Sequence, residues 1–414
     1  MAKQDGENPH MDPSAKPHIA ANTLQGFKYL KNLFPILQRY HEVEKHHNRK
    51  LYFDQYLALI ILYFFNPVLT SLRAIQQSTT IKTVQKKLGV KSTSLGSLSE
   101  ASYVFDAELL QPLLKELAAQ ALPLEKNPQL KALQQKLVAV DGTLLPALPK
   151  MLWALWLDEN NRAAKLHLAL DVKRHMPIEA RITHGNANEK NIVREFFLKA
   201  NTLYVFDAGY AEYRFFQDIL NKSSSFIVRI QDNAVWKEIS SNQISNADKA
   251  IGVTKDAIVK LGSKSKQNDI HGPVRIIEIF HKGDESVQRK SRVSSKKTFR
   301  TTDCDYTFLL ATDRMDLSAE VIALCYQNRW QIELFFRWFK CILGCQHLLA
   351  LSQNGVAIQV YCALIASMLI TLWTGRKPTK RTFEMLQFYF LGWATEQELK
   401  QHLNSLKKIK KKRS

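Results

Sequence analysis

The chain has 414 residues, with 58 Lys and Arg against 38 Asp and Glu, a formal net charge of +20. Hydrophobic residues make up 45%, and only 15 Gly and 13 Pro occur, which excludes a mostly disordered chain and collagen-like or low-complexity material and leaves room for two or three domains. So strong a positive charge on a globular chain points to a polyanion partner, nucleic acid first and an anionic membrane second. The cysteines, at 304, 325, 341, 345 and 362, are odd in number and confined to the last third, which suits a reducing compartment better than a disulfide scaffold.

Residues 1–22 are polar, carry no apolar run of the signal-peptide kind, and read as a disordered lead. From 23 to 125 the texture is helical. Leu51–Asn66 is long and apolar enough for a buried helix, and Leu72–Ser92 reads as one or two short basic helices with a turn at Gly89. Ser97, with Glu100 three residues on, has capping-box spacing for a helix to Gln120 that Pro112 should kink or split. A module this basic suits DNA and, equally, a packing-only domain, because no sharp helix-turn-helix pattern is present.

Residues 126–230 change texture. Strands are expected at 137–143, 164–172, 178–184, 203–207 and 225–230, with helices at 188–200 and 212–221, a mixed α/β order. Residues 231–315 read as a β-rich insertion. Over 221–302 there are 16 basic and 8 acidic residues, a net of +8, and RKSRVSSKKTFR (289–300) has six basic residues and no acid. Helical texture returns at Ser318 and runs through 316–375. There Val356–Trp373 is long enough for one bilayer crossing, but Gln359, Ser367 and Thr371 and the lack of a second span favour a buried core helix. The region 376–414 ends in LKKIKKKRS (406–414), a basic tail that is solvated or in non-specific phosphate contact.

The most informative segment is Tyr326–Lys340, YQNRWQIELFFRWFK. On one helix, Tyr326, Arg329, Glu333, Arg337 and Lys340 fall along a stripe, with Ile332, Phe335, Phe336 and Phe339 on the opposite face. Taken alone this reads as a solvated salt-bridge stripe. Two further acids close apolar strands, Asp141 before Gly142-Thr143 and Asp207 before Ala208-Gly209. Carboxylates that converge at strand ends face desolvation and mutual repulsion, which divalent cations with hard oxygen ligands relieve. Two such ions about 4 Å apart serve phosphoryl transfer.

These residues resemble the DDE transposases of bacterial insertion sequences, in particular insertion-sequence family four. Tyr326, Arg329, Glu333 and Lys340 match its Tyr-x2-Arg-x3-Glu-x6-Lys signature without a gap, and DGT (141–143) and DAGY (207–210) look like its two aspartate motifs. The resemblance runs from about Leu137 to Trp373. It implies an RNase H-like catalytic core with a β-rich insertion; with the reading of the flanking residues, the expected fold is α/β, preceded by an all-helical N-terminal domain that is a candidate for DNA binding and followed by a basic helical C-terminal region. It further implies that Asp141, Asp207 and Glu333 are catalytic and bind two Mg²⁺ ions, for which Mn²⁺ can substitute. Tyr326, Arg329, Arg337 and Lys340 would contact DNA phosphates, with arginine as a planar fork and lysine as a point charge.

An expelled base would stack on Trp330 or, more vaguely, Trp236; a core aromatic is the competing reading of Trp330. Ala208 stands where many members carry Arg, which puts in doubt a DNA contact by that side chain. The implied activity is cut-and-paste transposition: hydrolysis at the transposon end, then attack by the freed 3′-OH on the opposite strand, as a hairpin, or on the target. The implied partners are transposon-end DNA, target DNA and a second copy in a homodimer, with no membrane and no nucleotide cofactor, in a bacterial cytoplasm close to the nucleoid. The rivals are an RNase H-like endonuclease that cuts without joining and a catalytically silent DNA-binding relic.

Lesser candidates read as structural. Cys341 and Cys345 with His347 read as buried thiols before zinc ligands, His46-His47 as solvated surface, and Asp171 as a structural carboxylate. No phosphate-cradling Gly-rich loop is present.

Overall fold

The computed structural model describes residues 33–44, 48–158, 160–262, 269–282 and 305–411. The lead 1–22, His46-His47, the basic run 289–300, Cys304 and the last three residues lie outside the described residues.

Helix α1 (Phe53–Phe65) is buried along nearly its whole surface, as its apolar run demands. Leu72–Ser78 and Lys82–Leu88 follow, the second closed by Gly89 at φ +65°, a left-handed position that favours glycine. Helix α2 (Leu95–Val104) starts one turn earlier than the capping-box spacing predicts. Ser94 is its cap, accepting from the Ser97 backbone N–H at 3.0 Å, and Ser97 lies inside. The helix stops at Phe105, and α3 (Gln111–Gln120) begins afresh with Pro112 in its first turn, where the missing N–H leaves no bond unmade.

The strands are β1 (Lys136–Ala147), β2 (Arg162–Asp171), β3 (Met176–His184) and β4 (Thr202–Phe206), then helix α4 (Tyr213–Asn221) and β5 (Ser225–Ile230). Next come β6 (Trp236–Ser241), β7 (Val253–Leu261), β8 (Val274–His281) and β9 (Tyr306–Thr312). They form one mixed sheet in the order β3-β2-β1-β4-β5-β9-β8-β7-β6. Only β1–β4 and β4–β5 are parallel. The β-rich segment therefore continues the core sheet, because β9 returns to pair antiparallel with β5.

Alternation along each strand sorts its residues into two cores. Leu137, Ala139, Leu203, Val205 and Ile227 face α5 (Ala319–Gln327), α6 (Trp330–Cys341) and α7 (Gln353–Thr374). Val138, Val140, Tyr204, Phe206, Phe226 and Val228 face Phe215, Phe216 and Ile219 of α4. Two more helices, α8 (Lys380–Phe390) and α9 (Glu396–Lys411), close the chain.

Helix α7 is long and apolar enough to cross a membrane, yet 94% of its most apolar stretch is buried inside the protein. It packs on α1, α3 and β3 and joins the helical module to the sheet. Asn354 at its start donates to the carbonyls of Ser102 (3.0 Å) and Phe105 (2.6 Å) and accepts from the Ala107 N–H at 3.0 Å. At this crossing Gly355 has no room for a side chain: an added Cβ would lie 2.6 Å from both Ala350 Cβ and Ser102 Cβ, and neither can swing aside. Gly355→Ala is expected to lower stability by about 1–3 kcal/mol through overpacking. Urea denaturation of the full chain measures this, and a variant as stable as the parent would show that the two helices are not in close contact.

Candidate active site

Asp141 is not at a strand end. β1 runs on to Ala147, because its pairing with β2 continues from Val138 through Ala147. Its pairing with β4 ends sooner, at Ala139 opposite Val205, so beside Asp141 the sheet opens. Asp207 follows β4 directly. Its backbone is still extended (φ −81°, ψ −179°), and its Oδ1 accepts the Gly209 N–H at 2.9 Å, starting the turn Ala208–Tyr210. Asp207 lies near enough to Asp141 for its charge to act on the Asp141 carboxyl. Both take the strand parity that faces α5 and α6.

The Asp141 carboxyl is pushed up to about 7, chiefly by burial. The Gly142 N–H, donating to Oδ1 at 2.7 Å, acts against this, as does Arg329; the charges of Asp207 and Glu189 act with it. A buried carboxyl beside a second one is the electrostatic arrangement that a divalent cation relieves.

The Tyr326–Lys340 segment is not a single helix. Asn328 caps α5, its side-chain amide donating to the Leu324 carbonyl at 2.9 Å, and Arg329 is the N-cap of α6. The stripe survives this break. Arg329 donates to Glu333 Oε1 at 2.6 Å, its guanidinium lies 5.8 Å from the Tyr326 ring, and Arg337 is exposed. Lys340 donates to Thr143 Oγ1 at 2.9 Å and so ties the end of α6 to β1 just past Asp141. Ile332, Phe335, Phe336 and Phe339 are buried on the other side and hold the helix to its core.

Among the described residues no three His, Cys, Asp or Glu side chains are gathered into a ready metal-ligand set. The charge of Asp207 acts on the Asp141 carboxyl, while Glu333 is engaged by Arg329. The carboxylate oxygens of Asp141, Asp207 and Glu333 are hard donors of the kind that suits Mg²⁺ or Mn²⁺.

Trp330 is 57% exposed, so it is no core aromatic. Trp236 opens β6 at the far edge of the sheet, five strand positions from β4, and the sheet does not bring it to the carboxylates. Glu189 carried no readable motif. It stands behind Gly142, where an added Cβ would meet its Oε1 at 2.8 Å, and pairs with Lys165 at 3.2 Å. Of the cysteines, 325, 345 and 362 are buried, but Cys341 is exposed, against the buried-thiol reading. Asp171 holds Arg174 through its backbone N–H (3.0 Å) and guanidinium (3.1 Å), the structural role expected.

The site thus places Asp141 near Asp207 and Arg329, with Lys340 of α6 bonded to Thr143 just past Asp141. A family model, described as the transposase DDE domain, matches residues 132–369, more than half of the chain, and the chain belongs to that family. A Sinorhizobium fredii protein named "Putative transposase y4zB" is 30% identical over 220 residues, which are 52% of this chain and 56% of that one. The chain therefore spans a little over half the length of that relative. A Synechocystis protein named "Putative transposase for insertion sequence element IS4SA" is 20% identical over 301 residues, 72% of this chain and 77% of that one. Among solved structures, a piggyBac transposase synaptic complex with hairpin DNA aligns with 93% of this chain and 85% of its own at a TM-score of 0.37 and 9% identity, a likeness that by itself establishes nothing further.

Proposed function

We propose that the chain is a cut-and-paste transposase of insertion-sequence family four, cutting at transposon ends and joining the 3′-OH to target DNA. The observation that carries this is Asp141 on β1 and Asp207 just past the neighbouring parallel β4, with Arg329, Glu333 and Lys340 on α6 and Tyr326 at the end of α5. The strand order β3-β2-β1-β4-β5, with β4 and β5 parallel to β1, supports an RNase H-like core.

Asp141, Asp207 and Glu333 would hold two Mg²⁺ ions. When bound, these supply charge neutralisation at the phosphate and an activated oxygen nucleophile. The chain's own residues do the rest. Arg329 is spent on Glu333 in the structure, and a DNA phosphate competes for that guanidinium as a bidentate acceptor. Its capture would release the Glu333 carboxylate toward the aspartates, so that end binding and site assembly become one event. Lys340, held at Thr143, lies ready as a point charge, and the Tyr326 hydroxyl is kept protonated by burial so that it donates to phosphate oxygen. The exposed Trp330 face is available to a displaced base. DNA partners and a homodimer that holds two ends belong to this reading.

The deciding experiment incubates the full chain with Mg²⁺, a supercoiled target plasmid and pre-cut duplexes that carry the DNA flanking its reading frame and end in 3′-OH. Covalent joining of the duplex ends to the plasmid is expected. Cleavage of uncut ends without joining would leave a nuclease, and neither activity would leave a silent DNA-binding protein.

A further inference from the structure

A carboxylate and a phenol behind the two aspartates have no part in the reading above. Gly142 follows Asp141 in β1 and so takes the opposite strand parity, that of Val138 and Val140 on the α4 side. A Cβ added at Gly142 would meet Glu189 Oε1 at 2.8 Å, so the missing side chain is what lets the Glu189 carboxylate come up behind Asp141. Its charge acts on the Asp141 carboxyl. Lys165 of β2 pairs with the same Glu189 oxygen at 3.2 Å and holds it there.

Tyr210 ends the turn that follows Asp207. Its ring packs in the α4-side core, 4.8 Å from the Phe206 ring and 6.0 Å from that of Phe215. The residue is 1% exposed, and its hydroxyl is buried with no partner at hydrogen-bonding geometry. Three carboxylates, those of Glu189, Asp141 and Asp207, act on that hydroxyl, and Glu189 comes nearest to accepting from it. A buried O–H left unbonded is costly, and phenylalanine would fill the same core space without it. The hydroxyl therefore has a use other than packing. It is a donor that faces three acceptors, two of them the aspartates.

We propose that Glu189 and Tyr210 are positioning residues for divalent-cation binding at Asp141 and Asp207, Glu189 as a further negative charge behind Asp141 and Tyr210 as the O–H donor that fixes an aspartate carboxylate for its cation. The cation class rests on the metal-dependent transposase reading above. Neither residue need touch the cation. A hydrogen bond to a ligand carboxylate orients it, and a nearby negative charge strengthens its hold on a cation.

The test titrates Mn²⁺ into the full chain without DNA and follows water-proton relaxation. Glu189→Gln and Tyr210→Phe are each expected to weaken Mn²⁺ binding about tenfold, the usual cost of losing such a support. Both keep side-chain shape, and cooperative melts in EDTA show that they fold. Glu189→Asp, which returns the charge, is expected to recover most of the affinity. Glu212→Gln removes an acid that pairs instead with Lys190 and Arg194, and is expected to bind Mn²⁺ as the parent does. Parental affinity in Glu189→Gln or Tyr210→Phe, an equal loss in Glu212→Gln, or a parent chain that binds no Mn²⁺ overturns the proposal. The joining assay fails separately. A chain that binds Mn²⁺ with this dependence yet never joins ends loses the transposase reading and keeps these positioning residues.

Discussion

Asp141→Asn, Asp207→Asn and Glu333→Gln are each expected to reduce end cleavage and joining by about a thousandfold or more. Divalent-ion catalysis supplies several kcal/mol of transition-state stabilisation, and each 1.36 kcal/mol is a factor of ten. All three substitutions keep side-chain shape and remove a charge. Glu333→Gln also breaks the ion pair to Arg329, but that pair is partly exposed, and its loss is expected to change stability by no more than about 1 kcal/mol. Lost chemistry is thereby separable from lost folding. Glu384→Gln, which removes one acid from an exposed 3.6 Å pair with Lys380, is the control and is expected to behave as wild type. EDTA is expected to abolish both activities, and added Mg²⁺ or Mn²⁺ to restore them. Full activity in any of the three carboxylate variants would sink the metal-site assignment.

The same Asp141→Asn substitution is expected to make the protein more stable in EDTA at pH 8. The Asp141 carboxyl is raised from 3.8 to about 7 in the folded chain, first by burial, so the native state holds its proton where the unfolded chain has released it. Stability therefore falls as pH rises from about 4 to about 7, and the whole penalty is present above 7. Its upper size is on the order of 4 kcal/mol. Asparagine cannot ionise and escapes the penalty. Thermal melts in EDTA from pH 5 to pH 8 are expected to show the wild type losing stability while Asp141→Asn stays nearly flat. Parallel curves for the two proteins would mean that Asp141 is not strained in the fold. An inactive but more stable variant is the usual trade at a site built for charge.

The parts of this molecule that depend on local pattern were legible in the sequence. The apolar runs of α1 and α7 and the fixed spacing of Tyr326, Arg329, Glu333 and Lys340 are each written within one segment. Local pattern misled where a partner segment sets the outcome. β1 extends past Asp141 because β2 supplies hydrogen bonds that Leu137–Thr143 alone cannot announce. The α5–α6 break turns on the side chain of Asn328 competing for the Leu324 carbonyl, in a stretch whose helical periodicity is otherwise unbroken. Trp236 looked suitable as an aromatic in a basic insertion, but the strand order carries it to the sheet edge.

By itself, the sequence determined a basic chain, its family, and the positions of its candidate acids, because residue type and spacing survive without a fold. Only tertiary structure decided who stands beside whom. Strand pairing set β1 beside β4 and so brought Asp207 near Asp141, and an ion pair engaged Glu333 with Arg329. Those are relations between distant segments, created when hydrogen bonding and burial choose one pairing among many, and no single window of the chain contains them.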